Sequence, residues 1–197
     1  MAQVGVGRPS LVSQRRAEIV GAFITLVARK GLEDVTLDDI AAEAHVQRSS
    51  LRHYVGNRRA LITAAIIELG DRCVRSIRND LGGAAGIDDL ITTMFSPNWL
   101  AAIGENDRAL DSMIEEATRD GQLAEHVRRA SDALIAEIQA ALRHDYPEAP
   151  ANRIRETAYT VACVVERNKL MQRLGYATSL SRGAARAARE LVRGLST

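Results

Sequence analysis

The sequence predicts an all-α protein, and three observations support this fold class. Apolar residues recur at helical spacing through most of the chain. Glycine and proline mark breaks between these periodic segments. The uncharged, β-branched segment 157–165 could by itself form a strand, but it lies within 153–174, a stretch without glycine or proline whose length favours a helix.

Size and composition narrow the class of protein. The chain has 197 residues, of which 46% are hydrophobic and 26% are charged, as expected for one folded unit or two small units that share a core. No apolar run approaches the roughly 18–20 residues that span a bilayer, and the N-terminus lacks the apolar region of a signal peptide. We therefore expect a cytoplasmic protein without a membrane partner. Cys73 and Cys163 match no metal or redox spacing, and we expect both to be reduced and buried.

The first predicted helix follows an N-terminal arm. Residues 1–12 contain glycine, proline and serine without periodicity. An amphipathic helix is predicted from about residue 13 to residue 30, and Gly31 suits the position just after it. Its apolar face comprises Ile19, Phe23, Leu26 and Val27.

A short second helix is predicted to begin at Thr36. Thr36 is a favourable N-cap, and Asp39, three residues later, can complete a capping box. Val35 and Ile40 can pack against each other as a hydrophobic staple. Because these local signals agree, we expect the helix to start here and to end near residue 44.

The remaining helices are placed by turn signals. A break at residues 45–46 separates the second helix from another short helix at 47–54, which Gly56 ends, and Asn57 caps the next. The later helices are predicted at 57–78, 87–95, 98–103, 106–119, 122–145, 151–174 and 180–195. Gly104 is interpreted as the break between 98–103 and 106–119.

Charge is unevenly distributed, although the formal net charge is only +1. Residues 1–60 carry nine Lys/Arg against six Asp/Glu, a net +3, whereas residues 61–197 carry seventeen against nineteen, a net −2. The 24 residues between Glu43 and Glu68 contain no acid but four arginines. Such a patch attracts phosphate backbones; a solvated surface is the alternative.

Two short helices joined by a tight turn, with a longer helix before them, match a helix-turn-helix unit. At about 100° per residue, an inward Leu51 places Gln47, Tyr54 and Val55 on the inner side of the second short helix. The outer side then carries Ser49, Arg52 and His53, flanked by Arg48 and Ser50. Arginine and serine can donate hydrogen bonds to base edges in a major groove. A polar helix that contacts nothing is the alternative.

Residues from about 15 to 62 resemble the DNA-binding domain of the TetR (tetracycline-repressor) family of bacterial regulators. The resemblance rests on Ile19, Ala22, Phe23, Gly31, Val35, Thr36, Leu37, Asp38, Asp39, Ile40, Ala41, Ala42, Glu43, Ala44, Val46, Leu51, His53, Tyr54, Val55, Asn57, Arg58, Ala60 and Leu61. The family usually has glycine at His45, an aromatic residue at Arg52 and phenylalanine at Val55. Serine at Gln47 and glycine at Ser49 are also usual there.

The resemblance implies a DNA-contacting role for each matching position. The predicted DNA-binding residues are Thr36, Gln47, Arg48, Ser49, Ser50, Arg52, His53, Tyr54, Asn57 and Arg58. Thr36, Tyr54 and the helix start at Asn57 would contact phosphates, while the outward residues of the second short helix would face bases or phosphates. The arm segment 7–9 can add a minor-groove contact, with a disordered tail as the alternative.

In the family, the C-terminal helices bind an effector and form a dimer, so we divide the chain into a DNA-binding domain at 1–60 and an effector-binding and dimerisation domain at 61–197. The two helices at 151–174 and 180–195 suit a four-helix dimer interface, because the first is apolar on more than one side and the second has small residues on one face. That face comprises Ala184, Ala187, Ala188, Leu191 and Leu195. Packing within the chain's own core is the alternative.

The residues that could line an effector pocket are mostly apolar, as core residues also are. Candidate pocket residues are Met94, Phe95, Trp99, Met113, Tyr159, Cys163, Asn168 and Met171, most of which could instead be core. Asp107, Asp111 and Glu115 share one helix face, where they could hold a cationic ligand together with Trp99. A solvated acidic face is the alternative expectation for these three.

These observations predict a sequence-specific DNA-binding transcriptional regulator, a repressor released from a palindromic operator by a small-molecule effector. The operator is expected to be palindromic because a dimer places two recognition helices about 34–36 Å apart or at a multiple of that spacing. A constitutive regulator without an effector is the first alternative. A helical enzyme is disfavoured because no metal spacing, phosphate loop or paired nucleophile and base is present, and we predict no catalytic residue, metal or cofactor.

Overall fold

Helices account for every regular element in residues 11–81 and 86–196, the parts of the chain that the computed structural model describes. They are α1 (Leu11–Lys30), α2 (Leu37–Glu43), α3 (Arg48–Val55), α4 (Arg58–Leu81), α5 (Ile87–Met94), α6 (Pro97–Arg119), α7 (Gly121–Asp145), α8 (Ala151–Arg173) and α9 (Thr178–Arg193), followed by a 3-10 turn at Gly194–Ser196. The all-α prediction is confirmed, including a helix across 157–165. The arm segment 7–9 lies outside the described residues.

Two apolar clusters form the interior, and α4 contributes to both. The first lies among α1, α2, α3, the first half of α4, and parts of α6 and α7. Its fully buried members include Ile19, Phe23, Ile40, Ile66 and Met113. The second lies among α5 to α9 and the end of α4, where Ile77 joins it. Because α4 joins both clusters, it connects the helix-turn-helix to the rest of the molecule; the division after residue 60 stays a prediction.

Helix α6 is continuous, so the predicted break at Gly104 is wrong. Ser96 caps the helix by accepting a hydrogen bond from Trp99 N at 3.2 Å, and Pro97 occupies the first turn. Gly104 is buried in the middle of the helix. A glycine inside a helix costs about 1 kcal/mol relative to alanine but does not end it, and packing of α6 against α1, α4 and α7 outweighs that preference.

Helices α4 and α7 approach closely at Gly70. A Cβ atom added to Gly70 would lie 2.8 Å from Ala130 Cβ and 3.1 Å from Ala130 Cα. Since real Cβ atoms essentially never come as close as 2.8 Å to a non-bonded atom, a side chain at Gly70 would require the two helices to shift. Both residues also line a cavity among α4, α6, α7 and α8, which we call the body cavity. This crossing therefore sets the spacing between α4 and α7 at the level of that cavity.

The two cysteines differ in environment. Cys73 on α4 is half-buried, and burial raises the pKa of its thiol to about 11. Cys163 on α8 is exposed, so the expectation that both cysteines are buried is wrong for Cys163. The reason is that Cys163 lies on a face of α8 that the chain's own helices leave uncovered. Within the described parts of the chain, no helix is both long enough and apolar enough to cross a membrane.

Candidate nucleic-acid interface and ligand cavity

Helix α2 begins with a complete capping box, as predicted. Asp39 N donates a hydrogen bond to Thr36 Oγ at 3.1 Å, and Thr36 N donates to Asp39 Oδ2 at 3.0 Å. Lys30 at the end of α1 donates to Asp39 Oδ1 at 2.8 Å. The hydrogen bond from Lys30, followed by those from Thr36, lowers the pKa of Asp39 to about 2. The start of α2 is therefore tied to the end of α1.

The turn between α2 and α3 passes through a left-handed residue. His45 has φ of +52°, and Val46 N donates to Ala41 O at 2.9 Å across the turn. Glycine adopts this conformation without steric cost, which gives a physical reason for the glycine usual in the family. Histidine is among the residues that adopt it more often than most, so the turn keeps its shape in this chain.

Helix α3 presents a buried side and an exposed side. Leu51 and Val55 are each 3% exposed and anchor the helix to the first cluster. The exposed residues of α3 are Arg48, Ser49, Arg52 and His53, while Ser50 and Tyr54 are half-buried. The inward placement expected for Gln47 is wrong, because Gln47 precedes the first turn as an N-cap without a side-chain bond and is exposed. The outer face of α3 thus contains basic and hydroxyl groups and no acid.

One acid from α2 reaches this face. Asp38 accepts two hydrogen bonds from Arg48 Nη1, at 2.8 Å and 3.1 Å, and both side chains are exposed. A phosphate would compete with Asp38 for this guanidinium. Sequence reasoning missed the pair, because the two residues come together only through the angle between α2 and α3.

Arg58 and Asn57 act within the protein. Arg58 donates to the carbonyl oxygens of Val35, at 3.1 Å, and Leu32, at 2.5 Å, and so connects the start of α4 to the loop before α2. Asn57 Oδ1 accepts from Ala60 N at 2.8 Å and caps α4, as predicted. These bonds hold the start of α4 against the helix-turn-helix.

A cleft of about 700 Å³ lies beside α3. It is lined mainly by apolar residues of α1, α2, α3 and α4, namely Phe23, Leu37, Ile40, Leu51, Val55 and Leu61. Arg52 and Val55 both contact it, at the two positions where the family usually has aromatic residues. Valine is smaller than phenylalanine, so this chain leaves space beneath α3.

The body cavity, among α4, α6, α7 and α8, has a volume of about 230 Å³. Tyr159 and Cys163 of the predicted pocket line it. Cys163, Asn168 and Met171 line a groove between α8 and α9. The other predicted pocket residues, Met94, Phe95, Trp99 and Met113, pack in the two apolar clusters. The structure therefore divides the predicted pocket among a cavity, a surface groove and the core.

An ion cluster centred on the buried Lys169 and Asp107 lies at the body cavity. Lys169 Nζ lies 2.8 Å from Asp107 Oδ1 and 2.9 Å from Glu166 Oε1. Arg173 Nη1 lies 3.0 Å from Asp107 Oδ2 and also pairs with Asp111. Burial opposes the charge on Lys169, but the carboxylates of Glu166 and Asp107 outweigh it, and the pKa of Lys169 is raised. The expectation of a solvated acidic face is therefore wrong for Asp107, which is 8% exposed.

The charged segment of α8 gave a usable signal for this cluster. Lys169 is one of only two lysines and stands in the polar segment 166–169, which directly follows the uncharged stretch 157–165. Its neighbour Asn168 is buried and donates to Ser181 Oγ on α9 at 3.0 Å. Lys169 Nζ lies 6.0 Å from the ring centroid of Trp99, whose buried Nε1 has no hydrogen-bond partner among the described residues. Only the fold reveals that Asp107 on α6 supplies the matching charge.

Known proteins with similar sequences are regulators. Residues 19–65 match the family of bacterial regulatory proteins of the tetR family. The HTH-type transcriptional regulator BetI of Brucella suis biovar 1 (strain 1330) is 28% identical over 146 residues, which cover 73% of this chain and 74% of that protein. The BetI of Brucella anthropi is 36% identical over 72 residues, 36% of this chain and 35% of the relative.

Solved structures share the fold over nearly the whole chain. The TetR-family transcriptional regulator from Cytophaga hutchinsonii aligns with a TM-score of 0.78 at 15% identity and covers 95% of this chain and 98% of its own. Salmonella enterica GusR aligns with a TM-score of 0.70 at 19% identity and covers 96% and 97%. These structures show similarity of fold alone, whereas the helix-turn-helix segment and the BetI regulators are similar to this chain in sequence. Residues 19–65 therefore match the helix-turn-helix segment of the tetR family of bacterial regulatory proteins, and the chain is similar over most of its length to a helix-turn-helix transcriptional regulator.

Proposed function

We propose that this protein is a ligand-responsive repressor that binds a palindromic operator as a homodimer and releases it when a small molecule enters the body cavity. The DNA-binding part of this proposal rests on the outer face of α3. Arg48, Ser49, Arg52 and His53 are exposed together, while Leu51 and Val55 anchor the helix behind them. Such a face can donate to base edges and phosphates in a major groove.

Within this proposal, the outer face of α3 reads bases, and the surrounding groups contact the phosphate backbone. Arg52 can bond bidentately to guanine. The backbone-contacting group comprises Thr36, Gln47, Ser50, Tyr54, Asn57 and Arg58. Asn57 and Arg58 contribute through the N-terminus of α4, since their side chains are engaged with the protein and a helix N-terminus favours phosphate.

The uncovered surface of α8 and α9 supports a homodimer. Leu180, Ala184, Ala187 and Leu191 follow one another at i, i+4, i+7 and i+11 on α9, with Leu180 60% and Leu191 42% exposed. On α8, Tyr159 is 61% exposed. Ala188 and Leu195, which we expected on the dimer face, are buried within the chain instead. Exposed apolar residues that recur along one side of a helix are typical of an interface, and small residues allow helices to approach closely.

Helix α4 offers a physical connection between ligand and DNA. Leu69, Gly70 and Cys73 of α4 line the cavity, while the first turns of α4 carry the bonds to the helix-turn-helix. Arg59 also pairs with Asp120 at the junction of α6 and α7, at 2.5 Å. A ligand can shift a protein between two states only if it binds one state more tightly than the other. A ligand that favours one position of α4 would therefore change the spacing between the two α3 helices of the dimer.

Fluorescence anisotropy with DNA from upstream of the protein's own gene tests this function. We expect selective binding that weakens steeply with salt, because phosphate contacts release counterions. Arg52→Ala should cost about 1–3 kcal/mol on the preferred site and relax its specificity, whereas Arg143→Ala, an exposed arginine at the end of α7, should change nothing. Binding that is equally weak on all DNA sequences would contradict the proposal, and binding unaffected by every ligand tested would favour a constitutive regulator.

A further inference from the structure

The ammonium group of Lys169 is the buried cation of the body cavity. Lys169 is 5% exposed, and its Nζ contacts Asp107 Oδ1 at 2.8 Å and the two oxygens of Glu166 at 2.9 Å and 3.0 Å. All three side chains line the cavity. The ammonium has three donors, and these contacts engage them, so a polar ligand must displace one carboxylate to reach Lys169.

The two carboxylates differ in how readily they can leave. Asp107 is buried and also accepts a hydrogen bond from Arg173 at 3.0 Å, so its departure would leave Lys169 and Arg173 with only the partly exposed carboxylates of Glu166 and Asp111. The side chain of Glu166 is 50% exposed. It can therefore turn into solvent, where water hydrates its carboxylate, while Lys169 keeps its contact with Asp107. Glu166 is the replaceable partner of Lys169.

The contact that Glu166 vacates on Lys169 suits another anion. When Glu166 has turned away, Lys169 and Arg173 face the single buried carboxylate of Asp107, and Asp111 pairs with Arg173 from a largely exposed position. Two cations and two carboxylates then balance, so an anionic ligand restores the partner that Lys169 has lost, whereas a cation would have to displace the buried Lys169 itself. The apolar lining comprises Leu69, Ile103, Leu110, Leu134 and Ile135, on α4, α6 and α7.

We propose that the cavity binds a small carboxylate with an apolar body, and that the ligand's carboxylate replaces Glu166 on Lys169. The two oxygens of Glu166 already show how a carboxylate sits on this ammonium. The apolar body lies against the aliphatic residues of α4, α6 and α7. A volume of about 230 Å³ limits it to a short chain or a single ring. The inference rests on the proposed function in taking this cavity to be the effector site.

Octanoate is the probe, and the protein's single tryptophan is the reporter. The ring of Trp99 lies 6.0 Å from Lys169 Nζ, so its emission responds to the charge around the ammonium. Titration of the full chain with octanoate should change the Trp99 emission to saturation and raise Tm, as any ligand of the native state does. Octylammonium and 1-octanol, which have the same apolar body, should do neither.

Glu166→Gln is the decisive variant. It removes the internal competitor at an exposed position, so octanoate should bind at least about threefold more tightly than to the natural chain. Glu156→Gln, at another exposed acid of α8, is the matched control and should leave the affinity unchanged. Lys169→Met should abolish binding. Glu166→Gln keeps the test valid even if Lys169→Met does not fold.

Several outcomes would overturn the inference. These are unchanged or weaker octanoate binding by Glu166→Gln, equal binding of octylammonium, and no emission change with hexanoate, octanoate or benzoate in a chain that binds DNA. The DNA assay separates this inference from the proposed function. If octanoate binds as described but never releases DNA, the carboxylate site stands and ligand-responsive repression fails. If another class of ligand releases DNA and carboxylates do not bind, ligand-responsive repression stands and the carboxylate site fails.

Discussion

Lys169 Nζ lies 2.8 Å from Asp107 Oδ1, and both side chains are buried between α6 and α8. Arg173 reaches the other oxygen of Asp107 at 3.0 Å. Asp107 therefore holds two cations of α8 against α6. Removal of the acid leaves Lys169 and Arg173 with only the partly exposed Glu166 and Asp111 as partners, which is more costly than the loss of an exposed ion pair.

Asp107→Asn should lower the free energy of unfolding by about 3 kcal/mol, because it keeps the volume of the side chain but removes its charge. Urea denaturation followed by circular dichroism measures this. Asp111→Asn is the control, since the side chain of Asp111 is 54% exposed, and its loss should cost less than about 1 kcal/mol. Equal effects of the two variants would mean that the buried pair contributes no more than a surface contact.

The capping box of α2 should make stability depend on acid pH. The pKa of Asp39 is lowered to about 2 from its ordinary value of 3.8, mainly by the hydrogen bond from Lys30. Its contribution is therefore fully present above about pH 4 and is lost as the pH falls towards 2. Asp39→Asn should remove this part of the acid dependence, which denaturant titrations from about pH 6 to about pH 2.5 can follow. An unchanged acid slope in the variant would show that Lys30 and Thr36 do not favour the ionised form.

Asp38 should weaken DNA binding by competing for Arg48. Asp38→Asn frees the Arg48 guanidinium from its partner at 2.8 Å and removes a negative charge next to the outer face of α3. We expect tighter binding to all DNA sequences, by about 1 kcal/mol, and a steeper dependence on salt. Glu33→Gln, at an exposed acid of the loop before α2, should have a smaller effect in the same anisotropy assay. Weaker binding by Asp38→Asn would place Arg48 outside the DNA interface.

The apolar stripe of α9 should hold the dimer together. Leu180 is 60% exposed in the protomer, so Leu180→Glu should not disturb the protomer's core but would bury a charge in the interface. Analytical ultracentrifugation should then show monomers, and the anisotropy assay should show weaker operator binding. Ile67→Glu on α4 replaces another exposed apolar residue, 48% accessible, and should leave the dimer intact. Dimers of unchanged affinity in Leu180→Glu would argue for another interface.

Local signals in the sequence determine much of the helix-turn-helix. Thr36 and Asp39 lie three residues apart, so the start of α2 depends only on neighbouring groups. The division of α3 into an anchoring side at Leu51 and an outer side at Arg52 follows from helical period alone. Periodicity and the long stretch without glycine or proline also identify α8 as a helix.

Only the tertiary structure decided how distant segments meet. Gly104 is a break signal by composition, but α6 continues through it because the surrounding helices pack against its whole length. The charge of Asp107 is compensated by Lys169, from another helix far along the chain, and neither residue by itself indicates its partner. Ala188 packs inward while Leu191 faces outward, because the position of α5 and α8 determines which side of α9 is covered. Sequence specifies groups and local geometry, whereas burial and pairing depend on contacts between residues that only the fold brings together.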